Sequence, residues 1–471
     1  MNFLRRKTLE QVREVSQRST LAKTLTAFDL ILFGLGAIIG TGVFVFTGSV
    51  AAKYSGPAVM LSYAISGVTC IFVALAYTEL ASMLPTSGSV YTYAYVGFGE
   101  IVAWIMGGVL ILELCFGAAV VAAGWSAYIQ GIAESAGYTL PPYLAKVYAH
   151  GGFVNAPAIF ITSIVGFVLY RGTKESKKIN AVLVLVKIGA IAAFTLAALP
   201  HFNINNWENF MPYGFDDVVI GASILFFSFS GFGALASSAE ECKNPEKDLI
   251  TGIVGSLVAS TLIYVAIGGL VTGIAPYYTL DNAQALATAL KLNGSHIGSV
   301  IVATGAVCGM TTVIMMSIYA QSRIFYVIAR DGLLPKFFAK IHPKNNNPHI
   351  TIVFFSCFAA IISGFVPYET IGKLTSMGAL IDYMVVCITV MLFRFKFPDA
   401  RRPFKCPTLF IIAPLAFLAC SYLLFKQVID KNMSLSFTGQ LLIGWIILLI
   451  ILYVARRQFV ISSKQATISL Q

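Results

Sequence analysis

Twelve apolar runs, each about as long as a lipid bilayer is thick, leave this chain few folds to choose from. They lie near residues 28–51, 57–83, 98–131, 155–171, 179–200, 216–239, 250–275, 297–328, 350–366, 370–393, 408–426 and 437–457. About 17 to 25 such residues cross the hydrocarbon core as a helix. In lipid each backbone N–H and C=O must be bonded inside the segment, so helices are expected and open sheets are not. Of 471 residues, 57% are hydrophobic and only 11% are charged, whereas a soluble domain carries about a quarter. The expected class is an all-α polytopic membrane protein with twelve transmembrane helices. A further stretch, 281–292, reads as a separate amphipathic external helix leading into the eighth run.

The formal net charge of +11 invites a nucleic-acid reading, but its distribution argues for membrane orientation instead. With the N-terminus placed in the cytoplasm, 25 of the 32 Lys and Arg residues fall on the inner side and six on the outer side. The six are Lys53, Lys146, Lys291, Lys373, Lys426 and Lys431. Such a bias orients membrane proteins, so both termini are expected in the cytoplasm of a multi-pass protein of the cell membrane, with no nucleic-acid partner. The remaining lysine, Lys187, lies inside an apolar run. The first 26 residues are polar and basic and the first apolar run is of spanning length, so no cleavable signal peptide is expected.

Two of the runs are interrupted. The first contains GLGAIIGTGVF from Gly34 to Phe44, and the sixth contains FSFSGFG from Phe227 to Gly233. Unwound backbone at membrane depth is tolerated only where it faces protein or a watery cavity, and paired breaks in matching segments point to the central site of a secondary transporter. Each break lies roughly 12 to 17 residues into its run, near the midplane at 1.5 Å per residue. The first run would pass outward and the sixth inward, which fits a five-plus-five inverted repeat with two appended spans. The expected boundaries are a tail at 1–26, repeats at 27–200 and 214–394, spans eleven and twelve within 406–458, and a tail at 459–471.

Gly36, Gly40 and Gly42 can take positive φ and let a ligand approach the backbone. Unwinding there would free the amides of Thr41, Gly42 and Val43 at a new helix N-terminus, which suits a carboxylate. The half-helix ending near Phe227 to Ser230 would offer free carbonyls to an ammonium. An α-amino acid is the simplest ligand carrying both groups. The alternative is close helix packing, since Gly36 and Gly40 stand four apart as in small-xxx-small faces.

GAIIGTGVF, ELASMLPTSGSVYTYAYVGFGE (79–100), FFSFSGFGALASSAEECKNPEKDL (226–249) and RIFYVIARDGLLP (323–335) together resemble the amino acid–polyamine–organocation transporters. The similarity is strongest to their cationic amino acid transporter-type branch, which includes bacterial permeases, and runs from about residue 20 to 460. It implies a LeuT-like fold with broken helices one and six, and amino-acid transport by alternating access. Site residues implied by position are Ile38, Gly40, Thr41 and Gly42 in the first break, with Phe227, Ser228 and Ser230 in the second. Gly233 departs from the family, where Asp is common after the GF pair, and so does Asp382, where a small or apolar residue is usual.

Lys187 lies about nine residues beyond Lys178, roughly 13 Å deeper along a helix. An ammonium at that depth demands a partner, a cavity or loss of its proton. Lys187 is therefore the expected proton-coupling group, the family's proton-driven members having a lysine in span five. The competing role is a structural lysine held by carbonyls of span one. Glu113, mid-run in LILELCFGAA, is a candidate pocket wall and selector or an interhelical hydrogen-bonder; Phe229, Ser230 and Phe232 are further candidate walls. Glu240 and Glu241 are expected to pair with basic residues such as Arg323, either as an inner gate or as a structural contact, while Glu79 and Glu100 are expected to be structural. Asp382 is open between a second proton site and a solvated acid.

No HExxH, GxSxG or clustered His and Asp marks an enzyme, and no repeated charged lining marks a channel. A receptor of this fold would carry a larger soluble part. The eight cysteines show no CxxC spacing and the five histidines fall outside the runs, so no disulfide framework, metal or organic cofactor is expected. The proton is the expected coupling ion, and lipid and a small amino acid are the expected partners. Within that class, import of small neutral L-amino acids by proton symport is favoured over a cationic amino acid or polyamine transporter or exchanger.

Overall fold

The computed structural model describes residues 7–10, 26–233, 235, 242–343, 345, 347–429 and 433–468, with side chains except at 173–180, 245–246 and 459–468. Among these residues there is no strand, only two isolated bridges. As far as they are described, the apolar runs lie mainly on helix. The main elements are α1 (Ala27–Ile38), α2 (42–55), α3 (Val59–Met83), α4 (Ser89–Gly97), α5 (Glu100–Ser135), α6 (Ala156–Arg171) and α7 (Thr173–Ala198). They continue with α8 (Phe215–Phe232), α9 (Pro245–Ile274), α10 (Ala285–Leu292), α11 (His296–Arg330), α12 (His349–Phe365), α13 (Tyr368–Lys396), α14 (Leu409–Val428) and α15 (Phe437–Ile468).

Nine helical stretches among the described residues are long and apolar enough to cross a membrane. One of these, Gly42–Met83, contains a sharp turn at Gly56, whose φ of +60° is left-handed, followed by Pro57. Three shorter apolar helices, Ala27–Ile38, Ala156–Arg171 and His349–Phe365, complete the set. Thr26 starts α1 with a reciprocal cap: its hydroxyl receives the Asp29 amide, and the Asp29 carboxylate receives the Thr26 amide at 2.9 Å. The expected amphipathic helix at 281–292 is α10, which starts at Ala285. The fully buried α4 within SGSVYTYAYVG was not anticipated; in so apolar a chain its short polar-aromatic stretch carries no helical periodicity that stands out.

The helices pack around one large apolar core that includes both interrupted segments. α9 lies against α1 and α3, α7 and α5 against α11, α6 against α12, and α13 against α5 and α14. At the end of the bundle rich in Lys and Arg, Glu79 of α3 is buried and receives Arg394 of α13 in a two-pronged pair, at 2.6 and 2.7 Å. It also accepts the Cys406 amide at 2.8 Å and lies 3.3 Å from Arg402. Arg402 donates to the Phe393 and Phe397 carbonyls that end α13. Glu79 thus ties α3 to the α13–α14 loop, in line with its expected structural role. In that loop, burial and then the Glu79 carboxylate push the Cys406 thiol up to about 11. The thiolate is the reactive form, so a maleimide at neutral pH should modify Cys406 more than about tenfold slower than an exposed thiol, as read by mass spectrometry.

Candidate functional site

Both breaks are present and lie against each other. α1 ends at Ile38; Ile39 is extended, with φ −76° and ψ 105°, and the helix restarts at Gly42 as a wide π-helical turn through Phe46. The first restarted amide to bond back is that of Phe44, to the Gly40 carbonyl at 3.3 Å. The amides of Thr41, Gly42 and Val43 therefore precede the first closed turn, where helix geometry provides no intrahelical acceptor. The second break takes a different form. α8 does not unwind but tightens into a 3₁₀ segment, Phe226–Phe232.

None of Gly36, Gly40 and Gly42 has positive φ, and Gly40 and Gly42 act by close approach instead. A Cβ on Gly42 would stand 2.3 Å from the Ser228 side chain, and one on Gly231 would stand 2.4 Å from the Ala37 carbonyl oxygen. A Cβ on Gly40 would meet Val313 of α11 at 2.9 Å. Across the first break, Gly124 of α5 accommodates Thr41 in the same way. Packing and site construction are thus the same feature here: the missing side chains let the two interruptions touch.

The carbonyls expected to be free are each met by a hydroxyl. Tyr264 of α9 bridges the breaks, its hydroxyl 2.8 Å from the Ile38 oxygen and 3.1 Å from the Ser228 oxygen. Ser230 Oγ donates back to the Phe227 carbonyl at 2.8 Å, and Tyr383 of α13 donates to the Ser230 carbonyl at 3.0 Å. Tyr63 covers the Gly42 carbonyl and Tyr128 the Phe44 carbonyl, at 2.8 and 2.7 Å. A carbonyl has two lone pairs, so a ligand can share these acceptors. By contrast, Thr41 Oγ1 and Ser228 Oγ are buried and have no partner among the described residues. One unpaired hydroxyl on each break is what a polar ligand between them would satisfy. Tyr264→Phe should cost about 1–3 kcal/mol, since it strips a buried donor from two carbonyls; a lowered melting temperature of the purified protein checks this.

Phe227 faces Phe46 with ring centroids 5.0 Å apart. The other two expected aromatic walls are turned into helix packing. Phe229 lies edge-on to Tyr63 and Tyr264, and Phe232 lies against Tyr77 and Tyr383. Glu113 sits on a π-helical turn of α5, Ile111–Cys115, and accepts a long contact from Tyr383 at 3.4 Å. π turns of this kind are frequent at functional positions.

Lys187 of α7 is fully buried. Its Nζ donates to the Gly36 and Ile39 carbonyls, both at 2.8 Å, and to that of Leu35 at 3.3 Å. Thr312 of α11 adds a bond to the Gly36 oxygen at 3.1 Å. The lysine caps the end of α1 at the break, where backbone carbonyls lose their helical donors. Arg323 lies over its neighbour Tyr319 on α11; Glu240 and Glu241, its expected gate partners, lie outside the described residues. Tyr63, Tyr128, Tyr264 and Tyr383 were missed from sequence. Their only signal is a lone hydroxyl inside an apolar helix, which needs a partner wherever it is buried.

The amino acid permease family model matches residues 25–453. The branched-chain amino acid permease BcaP of Bacillus subtilis (strain 168) is 38% identical over 429 residues, covering 90% of this chain and 92% of that protein. The methylthioribose transporter of the same organism is 37% identical over 427 residues, with 90% and 93% covered. The vacuolar cationic amino acid transporter 4 of Arabidopsis thaliana is 32% identical over 412 residues, with 84% and 68% covered. With the paired breaks on a wholly helical frame, these similarities make the chain a member of the amino acid permease family, within the amino acid–polyamine–organocation transporters.

Proposed function

We propose that the protein imports small neutral L-amino acids across the cell membrane by proton symport and alternating access. The observation that carries this is the meeting of the two breaks, with an unpaired hydroxyl on each, Thr41 and Ser228, and Lys187 on the end of the first. The amides of Thr41, Gly42 and Val43 would receive the substrate carboxylate, and the carbonyls of Ile38, Phe227, Ser228 and Ser230 its ammonium. The Phe46–Phe227 pair would limit the side chain. Lys187 would keep its carbonyl partners while charged and release them on losing its proton, so that protonation and the geometry of the first break move together.

The frame for this site is twelve spans in a LeuT-like arrangement. α1 and α2 form one broken span, the turn at Gly56 separates it from α3, and α4 and α10 lie outside the count. The packing pattern supports an inverted repeat. Numbering the spans in order, contacts of one with seven answer contacts of six with two, and five with eight answer ten with three. Two with seven, three with eight and four with nine map onto themselves. Ion pairs support the orientation: Lys53 pairs with Asp281 and Lys426 with Asp216, each joining segments assigned outside. Lys7 pairs with Asp331 on the side assigned inside.

A second substrate class is favoured by one observation, the methylthioribose transporter named among relatives of nearly equal identity. A polyhydroxy ligand would also suit the two unpaired hydroxyls. Proteoliposomes separate the two. Saturable uptake of alanine, valine or leucine that stops when the pH gradient is collapsed, and that methylthioribose does not inhibit, is the expected result. Uptake that survives the collapse, or competition by methylthioribose alone, overturns it.

A further inference from the structure

Beyond Lys187 the membrane interior holds a second group of ionisable side chains. Glu113 of α5 and Asp382 of α13 are 3% and 2% exposed, and lie close enough to interact electrostatically. Glu113 Oε2 and Asp382 Oδ1 have no hydrogen-bond partner among the described residues. The titratable groups facing them are Cys70 and Tyr77 of α3, Tyr93 of α4 and Tyr383 of α13, with Cys420 of α14 behind Cys70. Where α8 adjoins Tyr383 it contributes the rings of Phe226 and Phe232 and the Ser230 carbonyl. None of these is a cation. An independent observation points to an occupant as well: Tyr93 is fully buried and interacts with Asp382, and its hydroxyl also lacks a partner among the described residues.

Two interacting carboxylates with no counter-ion among the described residues cannot both stay ionised in lipid. Something positive must sit with them, and a proton is the smallest such group. Gly378, one turn before Asp382, lies so near the π turn that a Cβ there would stand 2.9 Å from Leu112 Cβ and 3.0 Å from the Glu113 amide nitrogen. That close approach packs α13 against the turn that carries Glu113.

We propose that Glu113 and Asp382 hold one proton between them, and that Tyr383 couples this carboxyl pair to the second break. The Tyr383 hydroxyl lies 3.4 Å from Glu113 Oε1 and 3.0 Å from the Ser230 carbonyl, and it has one hydrogen to give. With the pair singly protonated, the ionised oxygen competes for that hydrogen. A second proton from water releases it to Ser230, so that the protonation of the pair and the bonding of the second break change together. The role in the cycle rests on the symport reading above; the shared proton does not.

The experiment uses the full chain in liposomes. Infrared H₂O–D₂O difference spectra at neutral pH should show a protonated carboxyl that E113Q and D382N each shift or remove. A wild-type spectrum without that band, or a band unmoved by both substitutions, overturns the shared proton. Each proton moved with substrate is worth about tenfold in accumulation per pH unit of gradient. D382N should therefore accumulate about tenfold less substrate than wild type under a one-unit gradient, and D382E should recover it. Accumulation by D382N equal to wild type overturns the coupling role. Wild-type uptake indifferent to pH would sink proton symport itself, while the infrared result stands separately.

Discussion

Replacing Lys187 by arginine should abolish uptake driven by a pH gradient while leaving a folded protein, and replacing it by methionine should harm both. The two substitutions separate roles that the geometry combines in one side chain. As a cap, Lys187 supplies hydrogen to the Leu35, Gly36 and Ile39 carbonyls. Methionine leaves those acceptors without a charged donor, at about 1–3 kcal/mol for a buried group left unpaired. Arginine brings donors of its own but does not lose its proton, so it can hold the carbonyls without releasing them. Gly309 stands opposite, where a Cβ would lie 3.2 Å from Lys187 Cβ, so the site is close packed and the larger arginine should lower the melting temperature. Counterflow and gradient-driven uptake in the same vesicles, with melting temperatures alongside, provide the readout. Gradient-driven uptake that persists in K187R would mean that Lys187 is a structural cap and nothing more.

The second large effect is expected at Gly231. Its missing Cβ is what lets the α8 backbone lie on the end of α1: the added carbon would stand 2.4 Å from the Ala37 oxygen, 2.6 Å from its carbonyl carbon and 3.0 Å from the Ile38 nitrogen. Those are backbone atoms at the site itself and cannot rotate aside. Gly231→Ala should therefore destabilise by about 1–3 kcal/mol, the usual range for overpacking. By parting the breaks it should also weaken substrate binding by at least about tenfold, equivalent to 1.4 kcal/mol. Gly189→Ala on α7 is the control, because its Cβ meets nothing within 4 Å. Binding measured by thermal shift with a saturating amino acid would decide it; wild-type affinity in G231A would show that the breaks need not touch.

The parts legible in sequence are those governed by local periodicity and composition. Apolar runs of spanning length became helices within a few residues of their expected ends, because in lipid a segment has no other way to bond its backbone. The interruption at 34–44 was visible since glycine clusters stand out in an apolar run, and Lys187 since no lysine enters lipid without cause. The form of the second break was not visible. Whether FSFSGFG unwinds or tightens depends on Tyr264 and Tyr383, which take its carbonyls from 36 and 153 positions away.

The same division runs through the site. Taken alone, the sequence determined that this chain is helical and membrane-spanning, that two of its runs are broken, and that acids and a lysine lie within others. Those are consequences of side-chain transfer energies and backbone bonding, which each segment expresses by itself. Only the tertiary structure decided that Gly42 and Gly231 serve mutual contact of the breaks, that Lys187 ends on three carbonyls at the first break, and that Glu113 meets Tyr383. Contacts between residues more than a hundred positions apart depend on which helix faces pack together, and local pattern does not encode that choice.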